Sequence, residues 1–277
     1  MSALVLLALF VVGLLVGFAA GLIGIGGGVL IVPFLYFFYV HPDWAGFELA
    51  TALHVAVAHA TSLFVIVPTA AKGTLSYSKA GLIEWRVALP IAAAALVGGV
   101  IGARLAVILP GNALKFGFGI FLMLSATQLT LRRGSSNGRP INTNLIPIVI
   151  TGLAVGTLSG MMGVGGGIIA LPLLMYVLHV DVRRAAATSL AIVGFAAMAG
   201  AATYAISGWS VSGRPPHSLG YIHIGAAVPI LIGSFISVRW GTLVNQRTNV
   251  RVLRYIFAAV FMLLGLKFVI ENAPLLF

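Results

Sequence analysis

Long apolar runs divided by short polar stretches make up this chain. Their spacing predicts helices over residues 3–22, 29–40, 49–70, 84–108 and 113–131, then over 145–162, 168–180, 185–206, 221–244 and 251–270. Most are long enough to cross a hydrocarbon layer about 30 Å thick at 1.5 Å per residue. The 29–40 and 168–180 segments are too short for a perpendicular crossing, and each follows a glycine cluster inside an otherwise apolar run. An interior glycine costs about 1 kcal/mol relative to alanine in a helix. Irregular backbone at membrane depth is tolerated only where it is buried in protein or lines a cavity. The clusters therefore read as deliberate helix breaks. A break makes either a re-entrant hairpin or a tilted full crossing, which leaves eight to ten transmembrane segments.

The two clusters are copies. Gly21-Leu22-Ile23-Gly24-Ile25-Gly26-Gly27-Gly28 with Pro33 recurs as Gly160-Met161-Met162-Gly163-Val164-Gly165-Gly166-Gly167 with Pro172, at a constant offset of 139 residues from Gly24 to Gly163 and from Pro33 to Pro172. Gly17 with Gly21 matches Gly156 with Gly160, a spacing that lets helices approach closely. Ala60-Thr61-Ser62-Leu63 matches Ala187-Thr188-Ser189-Leu190, Gly81 with Pro90 matches Gly220 with Pro229, and Gly98 with Arg104 matches Gly233 with Arg239. Correspondences in one order along the chain mark an internal duplication. Residues 1–131 form the first repeat, 132–144 a linker rich in turn formers and arginine, and 145–277 the second repeat.

Composition narrows the class. Of 277 residues 60% are hydrophobic and only 8% charged, with a mean hydropathy of +1.12; globular domains carry about 25% charge. This is an all-α polytopic membrane protein, not a barrel, which would alternate over about ten residues. The net charge of +11 sits at helix ends, which argues orientation and lipid contact instead of nucleic acid. No cysteine is present, which excludes disulfides and thiolate sites. The N-terminal run lacks a basic flank and a small-residue cleavage site and is expected to be mature structure.

Loop charge sets the expected orientation. Lys72/Lys79, Arg132/Arg133/Arg139, Arg183/Arg184 and Arg247/Arg251/Arg254 are basic, whereas residues 41–48 carry Asp43 and Glu48 without Lys or Arg. The basic loops belong on the cytoplasmic side. Equivalent loops of the two repeats then fall on opposite faces, so the repeats have inverted topology and both termini lie outside.

Paired glycine-interrupted segments are the best sequence pointer to a transporter's binding site. A break presents the unpaired N–H groups and positive dipole end of the following helix at depth, and glycine lets an anion approach the backbone. Gly26, Gly27, Gly28, Gly165, Gly166 and Gly167 are thus candidate anion ligands; tight helix crossing is the plainer role. Thr61, Ser62, Thr188 and Ser189 offer hydroxyls without fixed charge, or bond locally to a carbonyl one turn back. His59 precedes the first Ala-Thr-Ser-Leu, where the second repeat has Ala186, and an ionisable group in a membrane helix is a functional candidate by default. It could bind an anion, carry a coupling proton, or sit neutral and hydrogen-bonded; His54 is a weaker candidate. Arg104 and Arg239 could draw anions into opposite vestibules or snorkel to headgroups. Glu84 and Asp181 suit helix starts, Lys267 and Glu271 suit an i,i+4 pair, and Trp85, Trp240, Tyr221 and Tyr255 suit the interface belt. No nucleotide fingerprint, catalytic set or metal-spaced cluster occurs.

The duplicated Gly-x-Gly-Gly-Gly segments ending in Pro33 and Pro172, with Ala-Thr-Ser-Leu in the next helix of each half, resemble the sulfite exporter TauE/SafE family over nearly the whole chain. The resemblance implies a bacterial or archaeal inner-membrane permease for sulfite, organosulfonates or related small oxoanions. The expectation is a secondary transporter with alternating access about a midplane site between the breaks; a channel of the same architecture and a permease for another small anion are the alternatives. No enzymatic activity, cofactor or metal is expected. The expected partners are a small anionic substrate and membrane lipids, with a homodimer compatible and nucleic acid excluded.

Overall fold

The computed structural model describes residues 2–131, 140–247 and 251–275. Residues 132–139 of the expected linker, including Arg132, Arg133 and Arg139, lie outside the described residues. The first half comprises α1 (Ala3–Ile23), α2 (Gly28–Val40), a one-turn α3 (Pro42–Ala45), α4 (Thr51–Lys79), α5 (Trp85–Ile108) and α6 (Gly111–Leu131). The second comprises α7 (Leu145–Met162), α8 (Gly167–Pro172) continued by a π-helical turn at Leu173–Val177, α9 (Val182–Ser207), a two-residue hairpin β1 (Ser218–Leu219) and β2 (Ile222–His223), α10 (Ile224–Arg247) and α11 (Arg251–Asn272). Among the described residues seven helices are long and apolar enough to cross a membrane, and α2 and Gly167–Val177 are shorter apolar helices. With α6, itself 21 residues, each half has the five segments expected.

The halves interleave. α1 packs along α10, α7 along α5, and α6 along α11, so the principal helix pairs join one half to the other. Glycine makes the first two possible. Gly13, Gly17 and Gly21 lie against the carbonyls of Ile230, Ser234 and Val238, so α1 and α10 run in the same direction at backbone contact. Gly152, Gly156 and Gly160 lie in the same way against Ile91, Ala95 and Gly99, which sets α7 parallel to α5. The two GxxxG faces read from the sequence carry these contacts.

Direction follows from such pairs. Thr69 bonds Ser234 and Ser76 bonds Thr242, so α4 runs with α10. Gly200 meets Leu63 while Leu190 meets Gly73, so α9 runs against α4. α1, α4 and α10 therefore point one way and α5, α7 and α9 the other; each helix is antiparallel to its repeat counterpart. α4 and α9 are the most buried of the spanning helices and form the centre.

α2 turns back along α4: Gly28 lies near Ile66, and Tyr36, further on, reaches His59. The break is thus the bend of a hairpin whose second arm is short.

Candidate functional site

Each break needs glycine for backbone conformation as well as for space. Gly24, Gly26 and Gly27 have φ of 77°, 82° and 79°, and Gly163, Gly165 and Gly166 repeat this with 71°, 80° and 76°. L-residues other than glycine seldom occupy that region. Gly24 and Gly163 close α1 and α7 as left-handed caps, while Gly27 and Gly166 precede α2 and α8 with no side-chain cap. The breaks also touch. A Cβ on Gly28 would stand 2.6 Å from Val164 Cα, and one on Gly167 would stand 2.5 Å from Ile25 Cα. Both contacts obey the 139-residue offset, so the hairpin bends cross back to back.

The hydroxyl pairs hold this crossing together. Ser62 donates to the Gly163 carbonyl at 2.7 Å, and Ser189 to the Gly24 carbonyl at 2.9 Å. Thr61 accepts the His223 N–H and Thr188 accepts the Glu84 N–H, each at 3.0 Å. None of the four bonds one turn back; Thr69 and Thr203 do that instead. Two tyrosines complete the repeated set: Tyr77 donates to the Gly21 carbonyl at 2.6 Å and Tyr204 to the Gly160 carbonyl at 3.0 Å. Every one of these groups in one half serves a backbone group of the other.

Against this repeated frame one side differs. His59 is fully buried and rests its backbone on Gly163, where a Cβ would come within 2.6 Å of His59 Cα. Its Nε2 lies 2.5 Å from the Tyr36 hydroxyl and its Nδ1 3.5 Å from the Tyr204 hydroxyl. Ala186 occupies the matching place against Gly24. Beside this cluster the Tyr39 hydroxyl lies 3.2 Å from His223 Nδ1, with the Phe47 edge on the His223 ring. Burial pushes the His223 imidazole down to about 4, His217 adding to the effect.

His54 does not join the His59 cluster; its Nε2 bonds the Leu49 carbonyl at 2.9 Å, while its buried Nδ1 has no hydrogen-bond partner. Arg104 and Arg239 stand on exposed faces of α5 and α10. Packing also corrects their pairing. Gly102 meets Thr157 and Met161 as Gly241 meets Phe18 and Leu22, so α5 and α10 correspond at 139 residues throughout. The Gly98/Gly233 match, at 135, is one helical turn out of register and the two arginines are not counterparts. Tyr221 is likewise buried edge-on against Tyr204 instead of lying at an interface. Glu84 pairs with Arg184, joining the start of α5 to α9.

Sequence reasoning missed Tyr36, Tyr39, Tyr77, Tyr204 and His223. A signal existed for two of them: Tyr77 and Tyr204 share the 127-residue offset of the Ala-Thr-Ser-Leu motifs.

A family model described as sulfite exporter TauE/SafE matches residues 9–268. A probable membrane transporter protein of Methanocaldococcus jannaschii is 29% identical over 95% of both chains. The probable membrane transporter protein YunE of Bacillus subtilis is 28% identical over 95% of this chain and 97% of its own. A third, from Haemophilus influenzae, is 27% identical over 91% and 94%. No solved structure matches the chain.

Proposed function

Because the chain belongs to the sulfite exporter TauE/SafE family and is therefore a multi-pass membrane transporter and not an enzyme, we propose that it is a secondary permease of the cytoplasmic membrane for a small sulfur-containing oxoanion. Its two repeats are read as inverted about an axis in the membrane plane, with both termini on the outer side. The substrate site lies where the breaks meet, and rocking of one repeat against the other exposes it alternately.

One observation carries this reading: the breaks are in backbone contact and tied by hydroxyls exchanged between the halves. In the closed arrangement Ser62 and Ser189 donate to carbonyls. Separating the breaks frees those donors together with the first N–H groups of α2 and α8, and an oxoanion accepts from both. His59 adds a donor or a proton at the Gly163 side. Each exchanged hydrogen bond contributes about 0.6 kcal/mol within a membrane bundle, small enough for bound anion to offset.

The test is efflux of radiolabelled sulfite, thiosulfate and sulfate from proteoliposomes, for the wild type and for Ser62→Ala/Ser189→Ala. Saturable flux of one anion, reduced at least about tenfold in the double variant, supports the reading. Flux that never saturates would make the protein a channel, and saturable flux indifferent to both serines would move the site away from the breaks.

A further inference from the structure

Besides the breaks, the face that carries the 41–50 loop holds a cavity of about 540 Å³ between α2, α6 and α11. A small oxoanion with part of its water shell fits such a volume, since liquid water takes about 30 Å³ per molecule. Lys115, one turn into α6, lines it. Its ammonium lies 5.6 Å from the centre of the Tyr36 ring, and no carboxylate lies within 4 Å of it among the described residues. Lys267 and Glu271 also line the cavity, but they pair with each other at 3.8 Å. The wall therefore carries one uncompensated positive charge. A second cavity of about 360 Å³ touches Lys115 from the other side; there His54, buried and with Nδ1 unpartnered, and Thr51 stand opposite the exposed Glu48.

The cavity leads inward. Tyr36 is part of its wall, and the Tyr36 hydroxyl is bonded to His59, which rests on the Gly163 break. A charged recess thus adjoins the hydrogen-bonded cluster at the crossing. The repeat pattern bears on this as well. An equivalent cavity of about 420 Å³ lies beside α8, with Ile169, Pro172 and Leu173 in place of Leu30, Pro33 and Phe34. In sequence the position matching Lys115 is Arg254, so each half supplies one cation at this step of its α6 or α11.

We propose that the cavity beside Lys115 is a loading site for a single small oxoanion, distinct from the site at the breaks and feeding it past Tyr36. The inference rests on the transport reading above. Lys115 is the ligating cation; the bidentate fork of an arginine is not needed, because a compact ammonium suffices for an anion that must move on. A purely structural role is the competing account, with Lys115 offsetting the C-terminal dipole of α2.

Equilibrium binding of radiolabelled sulfite, thiosulfate and sulfate to purified full-length protein separates these, with Lys115→Met, Lys115→Arg, Lys267→Gln and His59→Asn compared. Methionine keeps the apolar stem over Tyr36, so folding should survive, and a thermal melt checks it. One anion should bind one-to-one. Its affinity should fall about tenfold or more in Lys115→Met, stay within about threefold in Lys115→Arg, and be unchanged in Lys267→Gln. In proteoliposomes Lys115→Met should raise KM with kcat held, whereas His59→Asn should retain binding and lose flux. Binding that survives Lys115→Met but is lost in His59→Asn overturns the loading site and leaves the transport reading standing. Equal losses in Lys115→Met and Lys267→Gln overturn it in favour of diffuse surface charge. A lower melting temperature in Lys115→Met with unchanged affinity assigns the structural role. If no anion binds or moves, both proposals fall together.

Discussion

Where α9 passes the first break, Ala186 lies against Gly24; where α4 passes the second, His59 lies against Gly163 with Tyr36 and Tyr204 on its two ring nitrogens. The surroundings are otherwise repeated group for group. Ser62 and Ser189, Thr61 and Thr188, and Tyr77 and Tyr204 each reach a backbone group of the opposite half. What recurs at both crossings belongs to the frame that lets two hairpin bends meet in a membrane, because a buried carbonyl there must be satisfied from within the protein. What occurs at one crossing only (His59, Tyr36, Tyr39 and His223) is left over from that task. A symmetric frame has no preferred direction, so any directional or coupled step is expected in this unrepeated set.

The comparison breaks most severely at the glycines. A Cβ on Gly21 would stand 2.2 Å from the Val238 carbonyl oxygen, and one on Gly160 would stand 2.3 Å from that of Gly99. Backbone, unlike a flexible side chain, has little room to yield. Gly21→Leu and Gly160→Leu should each exceed the usual overpacking cost of about 1–3 kcal/mol and leave no monodisperse protein on size exclusion. A folded Gly160→Leu beside an unfolded Gly21→Leu would show that the two crossings are not packed alike. The next effect is one-sided. His59→Ala leaves the Tyr36 hydroxyl buried without its partner, which costs about 1–3 kcal/mol, and should lower sulfite flux at least about tenfold. Ala186→Gly, at the matching place, should cost about 1 kcal/mol of helix propensity with flux retained. Comparable flux losses in both would abolish the distinction between frame and unrepeated set.

How much of this was legible follows from where each signal resides. Apolar runs and duplicated glycines lie in the sequence, so ten helical segments, two breaks and close-packing GxxxG faces could be read directly. Which helices pack together could not, because the partners of α1 and α7 lie in the opposite half at no fixed sequence distance. Two offsets coexist: 139 residues for most elements, and 127 for α4 and α9, because the chain entering α9 is 12 residues shorter. Pairing Arg104 with Arg239 at 135 took a recurring glycine for register. The hydroxyl partners were hidden for another reason: they are backbone carbonyls, which leave no trace in residue type. Tyr36 looked like one member of the 34–39 aromatic run, and only the turn of α2 along α4 brings its hydroxyl to His59.

A third difference separates the turns that enter α5 and α10. His223 and Glu84 are counterparts, each giving its N–H to a threonine of the other half. Glu84 is held by Arg184, whereas His223 is buried among Tyr39, Phe47 and His217. Its imidazole falls from 6.5 to about 4 on folding. The neutral ring is the folded form, so its contribution is intact above about pH 6.5 and is lost as pH falls toward 4. At pH 5 the loss is about 2 kcal/mol. Thermal melts should drop between pH 6.5 and 4.5 in the wild type and in Glu84→Gln, and drop less in His223→Gln. An unchanged slope in His223→Gln would remove this titration from the comparison.

The smallest effects fall on Ser62 and Ser189, and they decide how the crossing works. Each alanine variant should lose only about 0.6 kcal/mol of stability, because a carbonyl relieved of one donor is still bonded within its own helix or cap. Flux is the sharper readout. The two serines tie the same crossing from opposite sides: Ser62 holds the end of α7 and Ser189 the end of α1. If the breaks open one at a time, each serine faces the anion from one side of the membrane only. Ser62→Ala should then raise KM for sulfite presented on one face and Ser189→Ala on the other, as measured in vesicles of fixed orientation. Equal changes on both faces for either variant would mean that the breaks part together. The crossing would then act as one site with two mouths, and the asymmetry of transport would rest on His59 and Tyr36 alone.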